Sequence, residues 1–229
     1  MHTRYRWFRI QLPTGSRSLS TLLTEITFTD EAQYGFQEVE STGSVDRFRF
    51  VSRVSLVVTR LDETGAPAFE QVTSVSIIDF AIVTLADGLF LRIENPPRSV
   101  RDLLNAIESA AGFGFTCKPL VFERAWPKLV FENVDSWKLV GLRVVDVVAD
   151  EDVMARIELS SSNGMLQDQV RILRGTRFKV DCSTYEMTYH GLSGQLILSA
   201  SGAVKIGGRL APKILNLIEK ELAGLAAST

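Results

Sequence analysis

Two stretches of this chain follow the same plan, and that repetition constrains the fold more than any other feature. Ile82-Val83-Thr84-Leu85-Ala86-Asp87-Gly88 leads into a strand ending at Ile93, and Leu196-Ile197-Leu198-Ser199-Ala200-Ser201-Gly202 leads into a strand ending at Ile206. A helical segment follows each. Leu104, Asn105, Ile107 and Glu108 in the first match Leu215, Asn216, Ile218 and Glu219 in the second, with a slightly shorter connection between turn and helix. Strand, tight turn, strand and helix therefore occur twice in the same order, the pattern of a duplicated β-β-α unit.

The expected fold class is α+β, with largely antiparallel sheets and two amphipathic helices. The boundaries that follow are an N-terminal β-rich unit over 1–115, closed by a helix at 99–111, and a C-terminal β-rich unit over 116–229, closed by a helix at 211–226. The two are read either as separate domains or as one continuous domain. A chain of 229 residues can bury an adequate core in either form. No family is recognised in its motifs.

Local signals support this division. Tyr5, Trp7, Phe8, Ile10 and Leu12 form a β-favouring run that stops at Pro13-Thr14-Gly15. Asp46 to Leu61 and Phe69 to Leu85 read as a long hairpin around Asp62-Glu63-Thr64-Gly65-Ala66-Pro67. Asp87-Gly88 is a tight-turn signal. Ser99 is the expected N-cap of the first helix, whose Val100, Leu103, Leu104 and Ile107 share a face, with Gly112 at its C-terminus. In the last helix Ile214, Leu215, Ile218, Leu222 and Leu225 form the stripe that should be buried, and Pro212 suits the first turn. Strands such as Val72 to Leu85 carry apolar residues on both parities, which predicts sheets covered on both faces.

Composition narrows the function classes. Hydrophobic residues at 45% and charged residues at 23% are those of an ordinary globular protein. No apolar run approaches the ~20 residues needed to span a bilayer, so the expectation is a soluble, cytoplasmic chain without membrane insertion. The formal charge of −2 gives no global attraction to nucleic acid. Cys117 and Cys182 lack any zinc or redox spacing and read as buried free thiols. His2 and His190 are the only histidines, and no P-loop, GxSxG or HExxH pattern is present. Accordingly no catalytic residue, metal ligand or cofactor is assigned, and an enzyme is the lesser expectation.

Asp150-Glu151-Asp152 reads as a solvated turn. Asp79 lies among Ile77, Ile78, Phe80 and Ala81, an apolar setting that predicts partial burial and a basic partner. The candidate binding residues, for a partner or an anion, are arginines. Period-two geometry puts Arg47, Arg49, Val51 and Arg53 on one strand face and Phe48 and Phe50 on the other, and Arg4 and Arg6 repeat the spacing near the N-terminus. The bland alternative is a salt-bridged outer face opposite Glu38, Glu40 or Glu70.

The reading is thus a non-enzymatic binding or adaptor protein that engages a protein partner through a sheet face or edge. Nucleic-acid binding through the basic strand, with Tyr5 or Trp7 stacking on bases, is the first alternative. An apolar small-molecule pocket between helix and sheet is the second. Homo-oligomer formation through an edge strand is a further expectation.

Overall fold

Strand-forming β-branched and aromatic residues dominate the segments between the turn signals, and in the computed structural model they pair almost throughout as antiparallel neighbours. Residues 2–86, 88–121, 128–150, 153–166 and 170–226 are described. With 57% strand and two helices of seven or more residues, the fold is mainly β with minor helices, more sheet-dominated than the α+β expectation. Asp87, Glu151 and Asp152, which carried parts of the sequence reading, lie outside the described residues, as do the side chains of Pro212 and Leu225.

Two compact units partition the chain: 10–84 with 91–117, and 1–9 with 85–90 and 118–229. In the first unit, helix α1 (Leu19–Thr24) precedes strands β2 (Tyr34–Thr42), β3 (Val45–Leu61) and β4 (Pro67–Leu85), which lie in the order β2-β3-β4-β5, where β5 is Gly88–Glu94; β1 is the N-terminal strand His2–Gln11. Helix α2 (Arg101–Ala111) follows. Alternation along β3 buries Phe48 and Phe50 and turns Arg47 and Arg49 to the other face. Phe48 stacks on Phe80 at 5.7 Å between ring centroids, and Phe36 meets Phe50 at 5.3 Å. These rings are buried along with Leu19, Leu23, Leu103 and Ile107, each apolar side chain contributing about 1.5–3 kcal/mol by leaving water.

Of the expected α2 stripe, Leu103 and Ile107 are buried and Val100 and Leu104 half-buried, with Ala106 and Ala111 completing the buried face and Arg101, Asp102, Asn105 and Glu108 exposed. Val100 occupies the N-cap position, one residue later than expected, while the Ser99 hydroxyl accepts a hydrogen bond from the Arg101 amide at 3.3 Å. Gly112 ends the helix at φ +84°, a conformation that favours glycine.

In the second unit, β1 pairs with β11 (Ala203–Gly207), and the order continues through β10 (Leu192–Ser199), β9 (Lys179–Tyr189), β7 (Ser136–Asp150) and β8 (Val153–Met165). Helix α3 (Lys128–Glu132) and helix α4 (Ala211–Ala226) complete it; β6 (Thr116–Pro119) pairs with β1. Tyr5 and Trp7 join Leu196, Leu198, Val204 and Ile206 in a core shared with Ile214, Leu215, Ile218 and Leu222 of α4. Inside it the Trp7 indole N–H donates to Glu219 Oε1 at 3.2 Å. Gly202 sits in the β10–β11 turn at φ +83°, and a Cβ there would lie 1.7 Å from the Leu120 carbonyl oxygen, so only glycine fits.

Candidate binding surfaces

The five arginines singled out by spacing divide between the units. Arg47, Arg49 and Arg53 lie on β3, and Arg4 and Arg6 lie on β1. Arg47 stands opposite Glu40 on β2, with Nε 3.6 Å from Oε2. Arg49 stands opposite Asp79 on β4 and donates from Nε to Oδ1 at 2.8 Å. The hydrogen bond and charge of Asp79 hold the Arg49 proton more tightly than usual. Asp79 thus has the basic partner its setting called for, although its side chain is about half exposed at 51% instead of part-buried. Arg47 and Arg49 share a hollow of about 200 Å³ with Asp79 and Glu94.

Arg53 does different work. Its Nε donates to the Ala32 carbonyl at 3.0 Å, a terminal nitrogen donates to the Asp30 carbonyl at 2.5 Å, and the guanidinium lies 5.3 Å from the centre of the Phe28 ring. It fastens the loop before β2 to β3. Carbonyl oxygens satisfy its hydrogen bonds without cancelling its charge, and among the described residues no carboxylate forms an ion pair with it.

Beyond Arg53 the β3–β4 hairpin continues as a ribbon. β2 reaches β3 only at Ser52, whereas β3 and β4 pair to Leu61 and Pro67. Directly opposite residues share a face, so Ser55, Val57, Thr59 and Leu61 stand with Thr73, Gln71, Phe69 and Pro67, continuing the face of Val75 and Ile77. None of these is charged. Val57 is 69% exposed, Leu61 73%, Phe69 72%, Val75 49% and Ile77 55%. The charged residues of the ribbon, Arg60 and Glu70, lie on the opposite face and bond each other at 3.1 Å.

Among the described residues nothing covers the Val57 face along the ribbon, where cover on both parities of β4 was expected. The alternation keeps Arg60 and Glu70 off the Val57 face, although Leu56 and Val58 share their face with them, and whether a helix reaches that far is not written locally. At the tip, Asp62 Oδ1 accepts from the Thr64 amide at 2.9 Å, the Thr64 hydroxyl at 2.7 Å and the Ala66 amide at 2.9 Å. The Thr64 hydroxyl, with the backbone amides behind it, holds this carboxyl below the usual carboxylate range.

In the second unit Arg4 lies directly opposite Lys205, and Arg6, opposite Ala203, follows two residues along the same face. Like charges directly opposite in an antiparallel pair repel. Arg6 Nε is buried without a hydrogen-bond partner, and its guanidinium lies 5.3 Å from the centre of the Phe8 ring. Tyr5 and Trp7, expected to stack on bases, are instead buried in the core, because their parity faces α4.

The other titratable candidates resolve locally. His190 occupies the β9–β10 turn at φ +48°, its ring 4.3 Å from that of Tyr189. Burial pushes the Cys117 thiol up to about 11 and raises that of Cys182, so both are protonated near neutrality. Among the described residues no group of three or more His, Cys, Asp or Glu side chains could hold a metal ion, and no helix is long and apolar enough to cross a membrane. The hollow between α2 and the first unit's strands, about 360 Å³, is lined by polar and apolar side chains together, among them Tyr34, Phe50 and Ala106 beside Gln33, Asp102 and Asn105. Compared with known proteins, the chain matches no family model, and no curated protein is similar to it.

Proposed function

We propose that this chain is a binding protein, of adaptor type, that engages a protein partner through the uncharged face of the β3–β4 ribbon. One observation carries the reading: five large apolar side chains stand in water along one face of β3 and β4, on which Arg53 is the one charged residue from Val51 to Leu61 and from Pro67 to Ile77. Large apolar side chains gathered on one exposed face are costly in solution and often mark a protein interface. Arg47 and Arg49 continue the same face toward the base of β3, where a partner's carboxylates would compete with Glu40 and Asp79.

The test is capture by tagged chain, wild type against V57E/F69E, with the melting temperature recorded for both. Recovery of a stoichiometric protein by the wild type and its loss in the variant, at equal melting temperature, is the expected result. Recovery that the substitutions leave untouched removes this face from the interaction.

A second reading has its own observation. The opposed Arg4 and Lys205, with Arg6 beside them, favour an anionic ligand such as a nucleic-acid phosphate. Binding of a fluorescent oligonucleotide that weakens steeply with salt and is lost in R4E/K205E is expected. Salt-independent or absent binding removes it.

We also read β4-β5-α2 and β10-β11-α4 as duplicated β-β-α units. The shared element order supports this.

A further inference from the structure

Resting on the reading that the uncharged ribbon face is the interaction surface, we infer that its occupant is a second copy of this chain, docked face to face and antiparallel about a two-fold axis near Val57. Along this face the ribbon has an electrostatic polarity. Its base carries Arg53, whose bonds to the carbonyls of Ala32 and Asp30 leave the positive charge uncancelled, and its tip carries Asp62 and Glu63. Between them lies the uncharged strip.

Arg53 and Leu61 are equidistant from Val57, so an axis there brings the tip of each copy over the base of the other. Arg53 lies about 14 Å and Asp62 about 17 Å from that axis at ~3.4 Å per residue. Acid then meets arginine at both ends, Val57 meets its own copy at the axis, Val75 meets Pro67 and Leu61, and Phe69 meets Thr73. A parallel alignment would place like charges together. An isologous interface needs one surface that complements itself under such a rotation, and this face does so in both charge and polarity.

Size sets the expected strength. The strip from Arg53 to Leu61 is about 27 Å long and about 10 Å wide, so even with side-chain relief no more than on the order of 1,000 Å² is buried in total, at or below the low end of specific interfaces. The self-association should be reversible. The edges that would otherwise compete are blunted: β2 carries a bulge between Glu38 and Glu40, and β8 pairs with β7 through three irregularities.

Sedimentation of the full chain from about 1 to about 300 μM, the range over which an interface this small dissociates, tests the inference. The wild type should pass from monomer to dimer, V57E/F69E should stay monomeric with its melting temperature unchanged, and E63K should weaken the dimer several-fold. A wild type that stays monomeric, a dimer that V57E/F69E does not diminish, or an E63K dimer as tight as wild type overturns it. Should V57E/F69E fail to fold, cysteine cross-linking decides. V57C, beside the axis, should form a disulfide between copies on mild oxidation, while L56C on the opposite face should not; equal cross-linking, or none in either, overturns the two-fold arrangement. A monomeric wild type that captures a different protein, with capture lost in V57E/F69E, ends the second-copy inference and leaves the binding face standing. A monomer that captures nothing ends both.

Discussion

Arg47, Arg49 and Arg53 look equivalent in a period-two reading, and the structure separates them by what each touches. Arg47 and Arg49 face carboxylates across neighbouring strands on a solvated face, where such pairs contribute little. Arg53 holds two loop carbonyls. Arg53→Met should therefore lower stability by about 2 kcal/mol, the scale of charged hydrogen bonds lost to part-buried carbonyls, whereas Arg47→Gln should leave the urea midpoint nearly unmoved. Equal effects of the two substitutions would contradict the assignment. The spacing of these arginines was legible in the sequence, and the salt-bridged alternative named Glu40, which meets Arg47; that Arg49 takes Asp79 and Arg53 the Ala32 carbonyl was not legible, since these come from other segments. Cys117 supplies a pH dependence. Its thiol, ordinarily titrating at 9.0, is held protonated up to about 11 by burial, so the folded chain binds that proton more tightly than the unfolded chain. The contribution is complete below pH 9.0 and is lost as pH rises through about 11. Stability of wild type relative to Cys117→Ala, followed by urea titration, should fall across that window and be flat below it.

At the scale of elements, helices were the most legible. The spacing of Leu103 and Ile107, and of Ile214, Leu215, Ile218 and Leu222, defines a buried stripe without reference to the rest of the chain, and those residues are buried. The long hairpin was equally plain from its turn residues. What alternation could not reveal is where the sheet stops and the ribbon begins, since that depends on β2 ending its pairing at Ser52. The ribbon side chains from Ser55 to Leu61 are exposed and contribute nothing to a buried core. Joining Ser55 to Thr73 through a two-residue turn should accordingly leave the melting temperature within a few degrees of wild type while abolishing capture and self-association. A large loss of stability would show that the ribbon supports the fold.

For the whole molecule, the compact units do not follow the order of the chain, which passes between them at residues 9/10, 84/85, 90/91 and 117/118. The second unit depends on β1, which pairs with β11 from His2 to Arg6 and places Trp7 against Glu219. A fragment spanning 116–229 lacks that strand, exposes the edge of β11 and leaves the buried Glu219 carboxyl without its indole donor. Circular dichroism and thermal melting should show no cooperative transition for the fragment alone, and addition of a peptide covering residues 1–12 should restore structure. A fragment that melts cooperatively by itself would show that the unit does not need β1. By itself the sequence determined the strand-rich character, the turns, the two amphipathic helices and the parity of every arginine on β3, because these follow from local propensity and from periods of 2 and 3.6 residues. Only the tertiary structure decided that Arg49 meets Asp79, that Trp7 is buried and not free to stack, and that nothing among the described residues covers the apolar face of the ribbon. Each of these depends on strand order and on how far neighbouring elements extend, which residues close together in sequence do not encode.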